Sequence, residues 1–340
     1  MEQTNLSQQT LFNPLMLPQV MPISISKPYE DERPSQPLPF IEANTKEVEL
    51  THLKEECIIP VFSKDNEVTI SHQSFIEAVY DAARIVFPHE TISEPAIRVS
   101  HVVKGRIPEA IHKPVDLLLE TDKTIYYERM MFCLEIPTIY QDVNGNRLNL
   151  TIGGVRAYNQ ENLYSKKTAE KFKVFIGFKN MVCCNLCVST DGYSACMRAM
   201  EPSGLLRSAI DLFQGYNMES HLQLMREFQQ YSLSESQFAQ LLGRTRLYQY
   251  LPNAEKKRIP LLQMTDTQIG LVAKSYYDDP DFGRKEGRDI SMWKVYNLFT
   301  GANKSSYIDN FLDRSLNATQ FTQGLCRAMR GDAQYSWFLN

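Results

Sequence analysis

The segment "EKFKVFIGFKN" (170–180) places lysines and rings at the spacing needed to hold a phosphate backbone. If it is extended, side chains alternate between two faces. Phe172, Val174, Ile176 and Phe178 then share an apolar face, and Lys171, Lys173, Phe175 and Lys179 share the other. Ammonium groups beside a ring suit single-stranded nucleic acid, because they neutralise phosphates while the ring stacks on a base. Residues 153–180 extend the pattern with Arg156, Tyr158, Lys166 and Lys167, against only Glu161 and Glu170. A second cluster, "GRTRLYQYLPNAEKKR", carries Arg244, Arg246, Lys256, Lys257 and Arg258 with Tyr248 and Tyr250, against one acid. The bland alternative is a solvated sheet face whose lysines guard against edge-to-edge pairing.

Two other groups of residues invite a chemical reading. "MVCCNLCV" (181–188) holds three of the seven cysteines, and Cys184 and Cys187 have the spacing of a zinc knuckle. No glycine shapes the intervening turn and no second Cys or His pair exists to complete tetrahedral coordination, so a buried strand is the expected structure. Asp278, Asp279 and Asp281 form a hydrated acidic loop, with a metal-dependent nuclease as a third functional reading. Gly153-Gly154 lacks a following GK[ST], and the six histidines show no H-x-x-x-H spacing. No catalytic residue, metal ligand or cofactor is assigned.

The elements that position these residues are legible from periodicity. Residues 1–45, with seven prolines before residue 40, read as a disordered tail. A hairpin is expected around Ser63 to Asn66, then a helix capped by Ser71 and ended by Pro88. From 97 to 200 the chain is β-rich, with Asn144-Gly145 as a tight turn, and 160–170 is a polar loop or short helix. After 201, apolar residues recur every three or four positions, with Ser234, Thr265 or Asp266, and Ser305 as helix caps. The expectation is α+β: a β-rich antiparallel N-terminal half (46–200) sharing one core with a helical C-terminal half (201–340).

Composition bounds the function. The 340 residues carry a net charge of −4, but nine acids and four bases fall in the first 60 residues, leaving the body near neutral. A case for nucleic acid is therefore local. The N-terminus lacks a basic leader, and no run approaches the ~18 apolar residues that span a bilayer. Seven cysteines in apolar surroundings indicate thiols and a cytoplasmic location, with no membrane partner.

"IIPVFSKDNEVTISHQSFI", "TIGGVRAYNQENLYSKK", "EKFKVFIGFKNMVCCNLC" and "MWKVYNLFTGANKSSYIDNFLDR" resemble an uncharacterised family of gut anaerobic bacteria known only as a domain of unknown function. The pattern Val182-Cys183-x-Asn185-Leu186, with a later Trp293/Tyr296 helix, is also similar to a phage- and plasmid-associated family. That resemblance implies carriage on mobile elements and a role in their DNA biology, and it carries over no catalytic residue. The leading expectation is a mobile-element protein that binds single-stranded or partly unpaired nucleic acid without chemistry. The rival is a protein-interaction module, such as a host-factor or anti-defence binder. An exposed basic strip beside a ring favours the first, an exposed apolar patch the second. A Phe175 buried against the helical half decides for the interaction module.

Overall fold

The computed structural model describes residues 39–57, 69–110, 112–160 and 169–340. The expected hairpin around Ser63–Asn66, most of the 160–170 segment, and nearly all of the expected tail lie outside them. In chain order the elements are β1 (Lys46–Val48), α1 (Leu50–Glu55), α2 (His72–Val86), β2 (Ala96–Arg106), β3 (Lys123–Val143), β4 (Asn146–Ala157), β5 (Glu170–Asn180) and β6 (Leu186–Ala199). There follow α3 (Pro202–Gly215), α4 (Met218–Glu227), β7 (Ser232–Leu233), α5 (Glu235–Tyr250), α6 (Asn253–Lys256), α7 (Asp266–Asp278), β8 (Ile290–Ser291), α8 (Met292–Asn303) and α9 (Ile308–Met329). The fold is α+β, as its patterning predicts. No helix among the described residues is long and apolar enough to cross a membrane.

Strands β1 to β6 form one antiparallel sheet in sequence order. Helix α2 covers one face: Phe75 packs edge-on against Phe132 and against Phe172. The N-terminal half of α9 covers the other face, where Ile308, Phe311 and Leu312 meet Met131, Val155 and Phe175. A sheet covered on both faces needs apolar residues at consecutive positions, and β4 is buried throughout from Leu148 to Ala157. Gly153-Gly154 serves this packing. A Cβ on Gly154 would lie 2.4 Å from the Phe75 ring, and one on Gly153 would lie 2.9 Å from the Phe175 ring. The pair leaves room for the Phe75 ring on one face of the central strand and for the ring of its cross-strand neighbour Phe175 on the other.

Local signals explain the boundaries. Ser71 accepts a hydrogen bond from the Ser74 amide, and Ser234 and Thr265 each form a capping box with Gln237 and Gln268. Asn144 and Gly145 both have positive φ in the two-residue β3–β4 turn. Ser305 does not cap α9, which begins at Ile308; its hydroxyl donates to the Ala302 carbonyl at the end of α8 instead. The tail boundary also moves. Phe40 and Ile41 are buried beneath α9, and the amides of Glu42 and Ala43 donate to the Lys304 carbonyl. The folded body therefore starts before residue 46.

The cysteine run is a turn, not a continuous strand. Residues 181–184 reverse the chain between β5 and β6, and Cys184 has a left-handed backbone (φ 58°). Asn180 and Asn185 lock this turn to α8 through the Asn297 side chain and carbonyl. Lys304, itself buried, donates to the Cys183 carbonyl (2.5 Å). Only Leu186 onward is strand. Strand β6 is itself irregular against β5: Phe172 faces Met197 and Val174 faces Ser194, and later Phe175 faces Tyr193 and Gly177 faces Val188. Two bulges thus break the outermost strand.

Candidate functional site

The structure dismantles most of the strip expected on β5. The period-two assignment holds, but the second face lies under α9 rather than in solvent. Phe175 is fully buried among Phe40, Phe311 and Leu312. Lys173 donates to the Asp309 carbonyl (2.5 Å) and to Asp313 Oδ2 (2.6 Å). Lys179 donates to Glu135 (2.5 Å). Burial alone would lower the Lys179 pKa, but the Glu135 carboxylate outweighs it and the net shift is upward.

Arg156 and Tyr158 are also interior. The Arg156 guanidinium is fully buried, pairs with Glu170, and sits between the rings of Tyr158 (4.7 Å) and Phe172 (4.3 Å). Glu170 also accepts from the Ile70 amide, so this ion pair ties β4 and β5 to the start of α2. Lys166 and Lys167 lie outside the described residues. Of the strip, Lys171 alone keeps an exposed side among the described residues. Its cross-strand partner is Arg198, also exposed, and among the described residues neither side chain makes an ion pair or hydrogen bond. Like charges directly opposite on one sheet face repel.

The second cluster forms the corner where α5 meets α6. Arg244 lies over the Trp337 ring (5.1 Å), Lys256 over Tyr248 (4.6 Å), and Arg246 pairs with Asp266 (2.9 Å). Lys257 and Arg258 are exposed and make no ion pair among the described residues. Tyr248 is buried, whereas Tyr250 is 73% exposed and Leu247, one turn away, is 58% exposed.

A third surface has no counterpart in the sequence-based expectations. Strand β4 pairs with β3 only from Arg129 onward, and β1 pairs with β2 only at Ile97–Val99. The ladder Val102–Arg106 with Lys123–Tyr127 therefore continues past β1 and β4 as a two-stranded arm, about 17 Å at strand rise. The end of α1 packs along it, where Thr124 donates to the Glu56 carbonyl and His52 meets the Tyr127 hydroxyl. The connection at the arm's end is shaped by Asp122, which accepts from Lys113 (2.6 Å) and the Leu119 amide (2.7 Å). These two bonds, Lys113 first, hold the Asp122 carboxyl below its ordinary pKa. Arg106 donates to the Lys113 carbonyl (2.6 Å). With the polar groups turned inward, Val115, Leu117 and Leu119 project outward, 75%, 58% and 61% exposed. The signal was "PVDLLLETD", an apolar run bounded by a proline and acids and too short for a further strand or helix.

Among the described residues no three His, Cys, Asp or Glu side chains converge on a shared ion position. Asp279 uses its carboxylate to accept from the amides of Asp281 and Phe282, which shapes the loop after α7. Burial pushes the thiols of Cys183 and Cys187 up to about 12, so both stay protonated and weakly nucleophilic. His72 and His221 are buried and neutral.

These features define an α+β protein whose antiparallel sheet is clasped between helices, with three of its exposed apolar residues, Val115, Leu117 and Leu119, clustered at the tip of an arm. The chain belongs to the family described as "Domain of unknown function, B. Theta Gene description (DUF3871)", whose model matches residues 28–339. No curated protein and no solved structure matches it.

Proposed function

We propose that this protein is a non-catalytic interaction module that engages a protein partner through the tip of the β2–β3 arm. One observation carries the reading: three large aliphatic side chains, all more than half exposed, are presented within five residues on a braced, projecting loop. Clustered exposed apolar groups mark interaction sites where scattered ones do not. The burial of Phe175 supports the same choice, since it removes the ring from the expected nucleic-acid strip. The test is affinity capture from a bacterial host lysate with wild-type protein and with L117S/L119S. A stoichiometric partner held by wild type and lost by the variant is expected. Identical captures by both would overturn the reading.

A second reading keeps nucleic acid, favoured by the unpaired, directly opposed Lys171 and Arg198. A phosphate between them relieves their repulsion. The phage- and plasmid-like pattern around Val182-Cys183 belongs with this reading, including carriage on mobile elements. Gel shifts of single-stranded DNA and RNA at rising salt test it: K171A and R198A should each weaken binding and flatten the salt slope by ~0.7 per lost contact. No shift at low salt with micromolar protein would end it.

A further inference from the structure

We infer that the arm tip of one copy of this chain docks on the α5–α6 corner of a second copy. The inference rests on the interaction-module reading and names its partner. Among the exposed apolar side chains of the described residues, two groups have members within a few positions of each other in sequence, whereas others, such as Ile85, Tyr277 and Tyr307, stand apart. One is Val115, Leu117 and Leu119 at the tip; the other is Leu247 and Tyr250 on α5. Both are exposed within a single chain, so neither covers the other intramolecularly.

Their charges are opposite. At the tip, Asp116 lies between Val115 and Leu117, is exposed, and its side chain makes no ion pair or hydrogen bond among the described residues. At the corner, Lys257 and Arg258 are likewise exposed and pair with no carboxylate among the described residues. Joining the two surfaces buries both apolar groups and sets an unpaired acid against two unpaired bases. Electrostatic complementarity of this kind fixes partner and orientation more than it adds affinity. The contact is small, so association is weak and concentration-dependent.

The two surfaces differ, so the contact is head-to-tail. A head-to-tail contact leaves a free tip and a free corner after each addition, and it produces rings or open chains rather than a closed two-fold dimer. The sheet offers no competing route at β6, because its two bulges interrupt the outer edge.

Sedimentation velocity on the full chain tests this from micromolar to near-millimolar protein. Wild type should pass beyond dimer mass as concentration rises. The tip variant L117S/L119S and the corner variant K257E/R258E should each remain monomeric alone. Mixed in equal amounts they should form a 1:1 dimer and stop there, because one intact tip meets one intact corner and no further pair remains. Wild type that stays monomeric, association that survives in either variant alone, or a mixture that stays monomeric would each overturn the inference. If wild type stays monomeric but L117S/L119S still loses a different protein from the lysate, the interaction-module reading stands and only this partner is wrong.

Discussion

The interior imidazoles set how the protein responds to acid. His72 Nε2 donates to the Tyr127 carbonyl (2.7 Å), and its Nδ1 has no partner among the described residues. His221 Nδ1 pairs with the Tyr216 hydroxyl (2.8 Å), leaving Nε2 without a partner. A second proton on either ring would be a buried charge. Burial, joined for His72 by nearby Arg156, lowers the pKa values to about 3 for His72 and about 4 for His221, despite Asp191 near the latter. Both rings gain a proton on unfolding once pH drops below about 6.5, so their full contribution to stability is present above that value. It declines as pH falls toward 4, by up to ~1.4 kcal/mol per pH unit for each ring. Urea melts between pH 7.5 and 4 should show this fall, with H221N removing about half of the histidine slope. A profile flat to pH 5 would contradict it. Little of this was legible beforehand. The histidines read as scattered, and Arg156 counted toward a basic surface, because burial depends on long-range partners such as Glu170 rather than on local composition.

At the level of elements, the strands β2 to β5, the Asn144-Gly145 turn and the Ser71, Ser234 and Thr265 caps followed directly from sequence, since each depends on neighbours a few positions away. Layering did not. Alternation in β5 identified two faces but could not show that α9 covers the second, because Lys171 and Lys173 look the same on a solvated face and on one facing acids. Nor could it show that β5 stops at Asn180 and that Cys184 turns left-handed in the reversal before β6. The short segment before β1 is illegible for a similar reason: two apolar residues carry no period, yet Phe40 and Ile41 pack with residues of α9 and the sheet. Phe40→Ala is therefore expected to lower unfolding free energy by ~3–5 kcal/mol in urea titrations. A loss below ~1 kcal/mol would mean that this segment is not part of the core.

Across the whole molecule, one apolar cluster runs from Phe75 and Phe172 through Phe178 and Cys187 to Tyr296 and Phe321, joining the β-rich and helical halves. Unfolding should therefore be a single event. The two tryptophans, Trp293 and Trp337, both lie in the helical half, so their fluorescence reports on that half while infrared amide bands report on the sheet. Coincident denaturant transitions are expected; an earlier fluorescence change would show that the halves separate first. The bulged outer strand has a further consequence for the protein at high concentration. A growing cross-β stack needs an uninterrupted comb of amide donors and carbonyl acceptors at a repeat of about 4.8 Å. β6 presents that comb in short, offset pieces. Crowded molecules of this chain are thus poor templates for amyloid through that edge, and precipitates should bind little thioflavin.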